Sequence, residues 1–340
     1  MRKTKTGTLL FIFAISLTLL AATTTVLNHP TGNHGLFMVD KLGAHLRFFD
    51  PVTFMELANI ETPPNPHDFV LSADHSLAYV PIYGDGVYGR NPHPGHEIEI
   101  VDLAGHKIIG AIDVAPYRAP HGIQIDSHGL LYVTSDLDRK LLVVDPKKRS
   151  VLEAIDTEGT GHWDALLADG SKIYVTNKTD RPFVSVIDVK KRKMIAKVPA
   201  PGGTEGIAAS PDGKRVIAMD HTDPVLIVID PKTDEVIDRI PLRGNAKGAY
   251  KLYFSPDGKR LLTMNMAEKF VNVFDASNLR GEQRVLPVGK DPMGIAFSAD
   301  GKTALVANHG DGSVSVIDLE KMQVVNNFHA GSGIETLAYY

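Results

Sequence analysis

The stretch DPMGIAFSADGKTALVANHGDGSVSVIDLEKMQVVNNF, residues 291–328, decides the fold. It holds four short apolar runs divided by turn chemistry: GIAF closes in SADGK, ALVAN in HGDG, and VSVID in LEKM, which leads into QVVNNF. Runs of this length, rich in Val and Ile and bounded by Gly, Asp and Asn, are strands rather than helices. One such unit is a four-stranded antiparallel meander.

The rest of the chain consists of altered copies. The Asp that ends the third run recurs as Asp50, Asp102, Asp145, Asp188, Asp230, Asp275 and Asp318, at gaps of 52, 43, 43, 42, 45 and 43 residues. A propeller blade repeats every 40–45 residues or so, and seven copies give an all-β, seven-bladed β-propeller. The turns between first and second strands repeat as well: SADHS at 72, DSHG at 126, ADGS at 168, SPDG at 210 and 255, SADG at 298. Asp-Gly supplies the positive φ that tight hairpins need.

The copying starts in mid-blade. Residues 36–40, 45–50 and 54–60 read as second, third and fourth strands with no first, while GIETLAYY, 333–340, is a first strand with no successor. The C-terminal strand is therefore expected to pair into the N-terminal blade, closing the ring and leaving no open edge. Residues 33–340 then form a single propeller domain.

Residues 1–27 stand apart. Arg2, Lys3 and Lys5 precede the apolar run LLFIFAISLTLLAA, and no acidic residue occurs before Asp40. A basic segment followed by such a run has the layout of a secretory signal peptide. An uncleaved anchor reaching Leu27 is the alternative, because the uncharged stretch approaches the roughly 20 residues that span a bilayer. Either way, export to the periplasm or the exterior is expected.

The hydrophobic (43%) and charged (22%) fractions are those of an ordinary soluble globular chain. The absence of Cys excludes thiol redox chemistry and disulfides, so stability must come from burial and ring closure. A net charge of −4 argues against nucleic acid as a partner. The basic runs at Lys147, Lys148, Arg149 and at Lys190, Lys191, Arg192, Lys193 lie in turns without interleaved aromatics and read as solvated faces. No membrane contact is expected beyond the N-terminal segment, and oligomeric state is not legible.

Blade 2 departs from the pattern through YGDGVYGRNPHPGH, residues 83–96, between its second and third strands. Gly, Pro and aromatics make this an ordered loop. It overhangs the face at which first strands begin, where a lid or pocket wall is expected, and His93 and His96 would close a site from above.

YVTN stands at 174–177, YVTS at 132 and YVPI at 79, beside the SPDG turns and the VSVID strand ends at 184 and 314. In these motifs, over nearly all of residues 36–340, the chain resembles the YVTN-repeat (YncE-like) seven-bladed β-propeller family. The resemblance implies the fold. It implies no single activity, because related propellers include sugar lactonases, redox enzymes and binding scaffolds.

Residues at equivalent positions of several blades converge on a propeller's axis. Counting back from each Asp-Gly turn to the head of the first strand gives His67, His121, His162, Glu205, Tyr250 and Met293 for blades 2–7, and matching IETLA to TEGIA adds Glu335. Any one His there is a hydrogen-bonding group at a loop end. Three in register on successive blades, followed by Glu, put imidazole and carboxylate donors around one axis, a shell suited to a divalent transition metal (Cu, Zn or Fe) rather than Ca or Mg. His221 and His309, at second-strand ends, would add ligands, with Asp136, Asn177, Asp220, Asn265 and Asn308 nearby to extend or orient the shell.

Glu205 and Glu335 are candidate further ligands or general bases, and Tyr250 a proton donor. Trp163 is either an apolar wall or a packed rim residue. The leading expectation is an exported metal-dependent enzyme, an oxidoreductase in preference to a lyase or lactonase, acting on a small-molecule substrate. A non-catalytic propeller binding a peptide, glycan or envelope partner on the same face is the alternative. No P-loop, dinucleotide fingerprint or Ser-His-Asp pattern stands in a fitting context.

Overall fold

The computed structural model describes residues 34–88, 90–178, 182–245 and 250–340. The leader expected over residues 1–27 lies outside them. Among the described residues no helix is long and apolar enough to cross a membrane. Seven four-stranded antiparallel sheets form there, six of them from consecutive strands. The seventh joins strand Ile334–Tyr339 to Leu36–Asp40, His45–Phe49 and Glu56–Glu61. The first strands of neighbouring blades touch one another and so ring the axis.

The repeating Asp has a local job. Its carboxylate accepts main-chain N–H groups of the turn that follows: Val52 and Thr53 at Asp50, Gly105 at Asp102, Lys147 and Lys148 at Asp145, and likewise at Asp188, Asp230, Asp275 and Asp318. This closes an Asx-type turn between third and fourth strands. In the first hairpin turns Ser72, Ser210, Ser255 and Ser298 each donate to the Asp two residues on, and the following glycines at 213, 258 and 301 have φ of 66°, 69° and 68°.

Stability comes from sheet packed on sheet around the ring. Tyr174, Val184 and Val186 of blade 4 pack against Val216, Ala218 and Ile227 of blade 5. The joint between last and first blades is built the same way, with Leu305, Ala307 and Val314 against Leu36, Met38 and Leu337. Closure is therefore both hydrogen-bonded and apolar: Phe37 pairs with Ala338, Met38 with Leu337, and the Tyr340 carbonyl accepts the N–H of Gly35 at 3.1 Å.

Residues 83–88 and 90–96 are not a separate loop. They continue the strands on either side into one long hairpin, Leu77–Val87 against Arg90–Asp102, with Val87 paired to Arg90. The alternation of β-formers with Gly, and the bulges between Ile82 and Gly84 and between Asp85 and Val87, let the ribbon bend while it keeps its ladder.

Three layers of side chains follow one another down the inner strands. Below the head layer come Asp68, Gly122, Trp163, Gly206, Lys251, Gly294 and Thr336, and then Phe69, Ile123, Asp164, Ile207, Leu252, Ile295 and Leu337. In the third layer each of the six apolar residues packs into a different seam between blades. Asp164 occupies the seventh such position, between blades 3 and 4. It is 4% exposed and neither carboxylate oxygen has a hydrogen-bond partner. Burial, followed by the charge of Asp68, pushes its pKa well above the ordinary 3.8.

Two outcomes follow. Deleting residues 333–340 will replace the single cooperative denaturant transition by a broad, low-amplitude one, measured by circular dichroism. Asp164→Val, which restores the apolar character of its layer and removes an unpartnered buried carboxyl, will stabilise the protein by about 1–3 kcal/mol at neutral pH in the same assay. A loss of stability would contradict this reading of the seam.

Candidate metal centre

A cavity of about 350 Å³ sits at the channel mouth where the first strands begin. All seven head positions line it: His67, His121, His162, Glu205, Tyr250, Met293 and Glu335. The long hairpin roofs it with Tyr83, Gly86, Val87 and Tyr88. Lys41, Lys178 and Lys251 also line it, and sequence reasoning missed all three.

Three imidazoles stack at its centre. The His121 ring lies 3.9 Å from those of His67 and His162, with Trp163 edge-on at 4.6 Å. The Nδ1–H of His121 donates to the carbonyl of His162 at 3.1 Å, which leaves Nε2 as a bare lone pair, buried and without a partner. Burial and the neighbouring cations hold His121 neutral, its pKa well below the ordinary value. A neutral imidazole pinned at one nitrogen and open at the other is a metal ligand's arrangement.

Other donors lie close to His121. Among the described residues, His121, His162 and Asp136 each offer a ligand atom within 4.8 Å of the others. Asp136 is 1% exposed; its Oδ2 accepts the Tyr83 hydroxyl at 3.2 Å and lies 3.3 Å from His162 Nδ1, while Oδ1 has no partner. Burial pushes His162 toward neutrality, but Glu205 and Asp136 outweigh it and raise its pKa. His67 is differently placed: its Nε2 is taken by the Lys41 ammonium at 2.8 Å, and its Nδ1 faces Glu335 at 3.7 Å.

Two buried glutamates organise the rest. Glu205 meets Lys178 at 2.9 Å, His162 at 3.3 Å and His221 at 3.4 Å. Glu335 meets His309 at 3.4 Å, Lys251 at 3.5 Å, and Lys41 and His67 at 3.7 Å. Burial alone would raise both pKa values, yet the surrounding cations win: Glu205 falls far below the ordinary range and Glu335 to about 2. Carboxylates held this firmly ionised are weak proton acceptors at neutral pH.

The structure departs from several sequence expectations. His93 and His96 do not close the site; they are exposed and face Asp85 and Asp113. They lie on the strand Arg90–Asp102, and the hairpin lines the cavity with Tyr83 and Tyr88 instead. Asn177 and Asn308 do not extend the shell, because their amides donate to the third strands of their own blades. Asp220 caps the Thr222–Asp223 turn, and Asn265 accepts the N–H of Ala267. His309 and His221 approach the site through Glu335 and Glu205. Trp163 is a wall, its face covered by Lys251 with Nζ 3.8 Å from the ring centre.

A family model matches residues 125–251, from blade 3 to the start of blade 6. It is the Cytochrome D1 heme domain. Among solved structures the chain is similar to Kuenenia stuttgartiensis hydrazine synthase, at 19% identity over 80% of this chain and 89% of that one, with a TM-score of 0.66. A likeness at that identity carries the propeller fold alone. No curated protein matches the chain.

Glu335→Gln leaves Lys41, Lys251 and His309 facing a buried neutral group, and removing one partner of a buried ionic cluster costs about 3 kcal/mol or more. Glu335 is depressed from 4.5 to about 2, so the unfolded chain takes up its proton first as pH falls. Wild-type stability from this group is full above 4.5 and is lost toward 2. The gap between wild type and variant in denaturant unfolding will therefore be widest near neutrality and narrow across that window.

Proposed function

We propose that the chain is an exported, YVTN-type propeller that holds one divalent transition metal ion at its roofed mouth, through His121, His162 and Asp136, and acts as an oxidoreductase on a small molecule. The observation that carries this reading is that two of the three residues grouped here, His121 and Asp136, each keep a buried, unpartnered acceptor, Nε2 and Oδ1. Orphaned lone pairs of this kind cost stability unless something binds them, and two imidazoles with a carboxylate suit Fe, Cu or Zn. Similarity to the Cytochrome D1 heme domain speaks for iron among these.

A bound ion of this class would supply a redox couple, or with Zn a Lewis acid that turns the chemistry toward hydrolysis or a lyase reaction. The chain's own residues do the rest. Tyr83 and the His162 carbonyl orient Asp136 and His121. Tyr88, whose ring lies 4.8 Å from His162, helps keep bulk water off the cluster. Glu205 and Glu335 act as fixed counter-charges for the lysines and histidines rather than as general bases. Tyr250, on the cavity wall beside His221 and Lys178, is placed to hold a proton.

A second reading rests on the family match: heme iron at the same mouth. The donors here fit a single ion. A cavity of about 350 Å³ is near the lower end for ligand pockets; it takes a small substrate, and a tetrapyrrole requires the roof hairpin to lift.

Protein purified from its native compartment without chelator or His-tag, followed by elemental analysis and absorption spectroscopy, separates these readings. The ion reading predicts about one metal per chain and no Soret band, with a drop of tenfold or more in His121→Ala and Asp136→Ala. His67→Ala, whose Nε2 is held by Lys41, will retain most of it. A Soret band would favour heme. Substoichiometric metal, unchanged in the first two variants, would leave the binding-scaffold alternative.

A further inference from the structure

We propose that the opposite mouth of the channel is a second binding site, for a small organic cation: a primary ammonium on a short apolar body. The cavity there has a volume of about 350 Å³ and opens between Pro211 and Pro256 of the two SPDG turns. It is separate from the metal centre, because Trp163 and Lys251 belong to both cavities and form the floor between them.

Charge selects the ligand. Asp68, Asp164 and Lys251 are the charged groups lining this cavity among the described residues. The Lys251 ammonium lies on the Trp163 face and 3.5 Å from Glu335 on the other side of the floor, and on this side it faces the charge of Asp68, which also accepts the main-chain N–H groups of Phe69 and Ile123. The Asp164 carboxyl is left over. Asp164 is 96% buried, since its exposure is 4%, and both its oxygens lack partners. The neighbouring Gln124 amide donates to the Asp164 main-chain carbonyl at 3.1 Å. An ammonium group brings three N–H donors and would form charge-assisted bonds with the side chains of Asp68 and Asp164.

The walls select the body. Phe69, Ile207, Leu252 and Phe254 surround the acidic end, an environment for a few methylenes rather than for the six or more oxygens a hard metal cation needs. The site also accounts for the exception in the third layer. Six blades put apolar side chains there and one puts a carboxylate, a departure from local consistency of the sort expected at functional positions.

Trp163 is the single tryptophan of the chain and forms part of this cavity, so its emission reports occupancy. Full-length protein, both as purified and after chelator treatment, would be titrated with n-butylammonium at constant ionic strength, with butyrate and butanol as controls. The expected result is a saturable change in emission for the cation alone, the same in both preparations, with affinity reduced tenfold or more in Asp68→Asn and in Asp164→Asn. The two variants are independent, so failure of one to fold leaves the other as the test. No saturable response, an equal response to butanol or butyrate, or unchanged affinity in the folded variants would overturn the proposal. Because chelated protein is included, its failure is distinct from failure of the metal reading.

Discussion

Everything at this site depends on the convergence of seven inner strands on one axis. Residues more than 260 positions apart in sequence, such as His67 and Glu335, are brought within 3.7 Å at the head of the channel. Groups gathered there lose water whether or not they attract one another. Charges can persist in such a place only if they are paired and hydrogen-bonded. The two glutamates meet that condition, each with lysine and histidine around it, and in doing so they fix where the imidazoles stand. Among the atoms left without a hydrogen bond, His67 Nδ1, His309 Nδ1, Glu205 Oε2 and Glu335 Oε2 still face an opposite charge within 4 Å, whereas no such partner is seen among the described residues for the bare nitrogen of His121 or for one oxygen of Asp136.

The layer below explains why the channel is divided. Glycines alternate with larger residues there, and each is needed for close approach of neighbouring strands. A Cβ on Gly122 would stand 2.7 Å from the His162 carbonyl oxygen, and one on Gly294 2.5 Å from that of Glu335. A Cβ on Gly206 would stand 2.3 Å from the carbonyl oxygen of Tyr250. The space released by missing side chains is taken by Trp163 and Lys251, which stack to form a floor. One mouth then holds imidazoles under an aromatic roof. The other holds carboxylates among apolar walls.

Much of this was legible in the sequence. The repeating Asp and the Ser-x-Asp-Gly turns are local devices whose hydrogen bonds do not depend on tertiary context, so their spacing gave blade number and register directly. Register in turn placed all seven head residues at one cavity. The same reasoning one step along the second strands would have found Lys41 and Lys178, which follow Asp40 and Asn177 as His221 follows Asp220 and His309 follows Asn308. The preceding Asp and Asn are structural, and their hydrogen bonds to their own blades could not be told from ligation by position alone. Nor could the pairing of Lys41 with His67, which depends on side-chain rotamers across two blades. Asp164 was legible by the same count, since it stands two residues after the strand head, where the other six blades carry Phe69, Ile123, Ile207, Leu252, Ile295 and Leu337.

The most direct measurement is anomalous diffraction from crystals of the natively purified protein, collected above and below the absorption edge of the metal found in it. A metal held by these residues gives one strong difference peak in the roofed cavity, at about 2.0–2.2 Å from His121 Nε2, from Asp136 and from a ring nitrogen of His162. A peak at the exposed His93 and His96, or no peak in the cavity with the His121 and Asp136 atoms still unpartnered, would contradict that assignment.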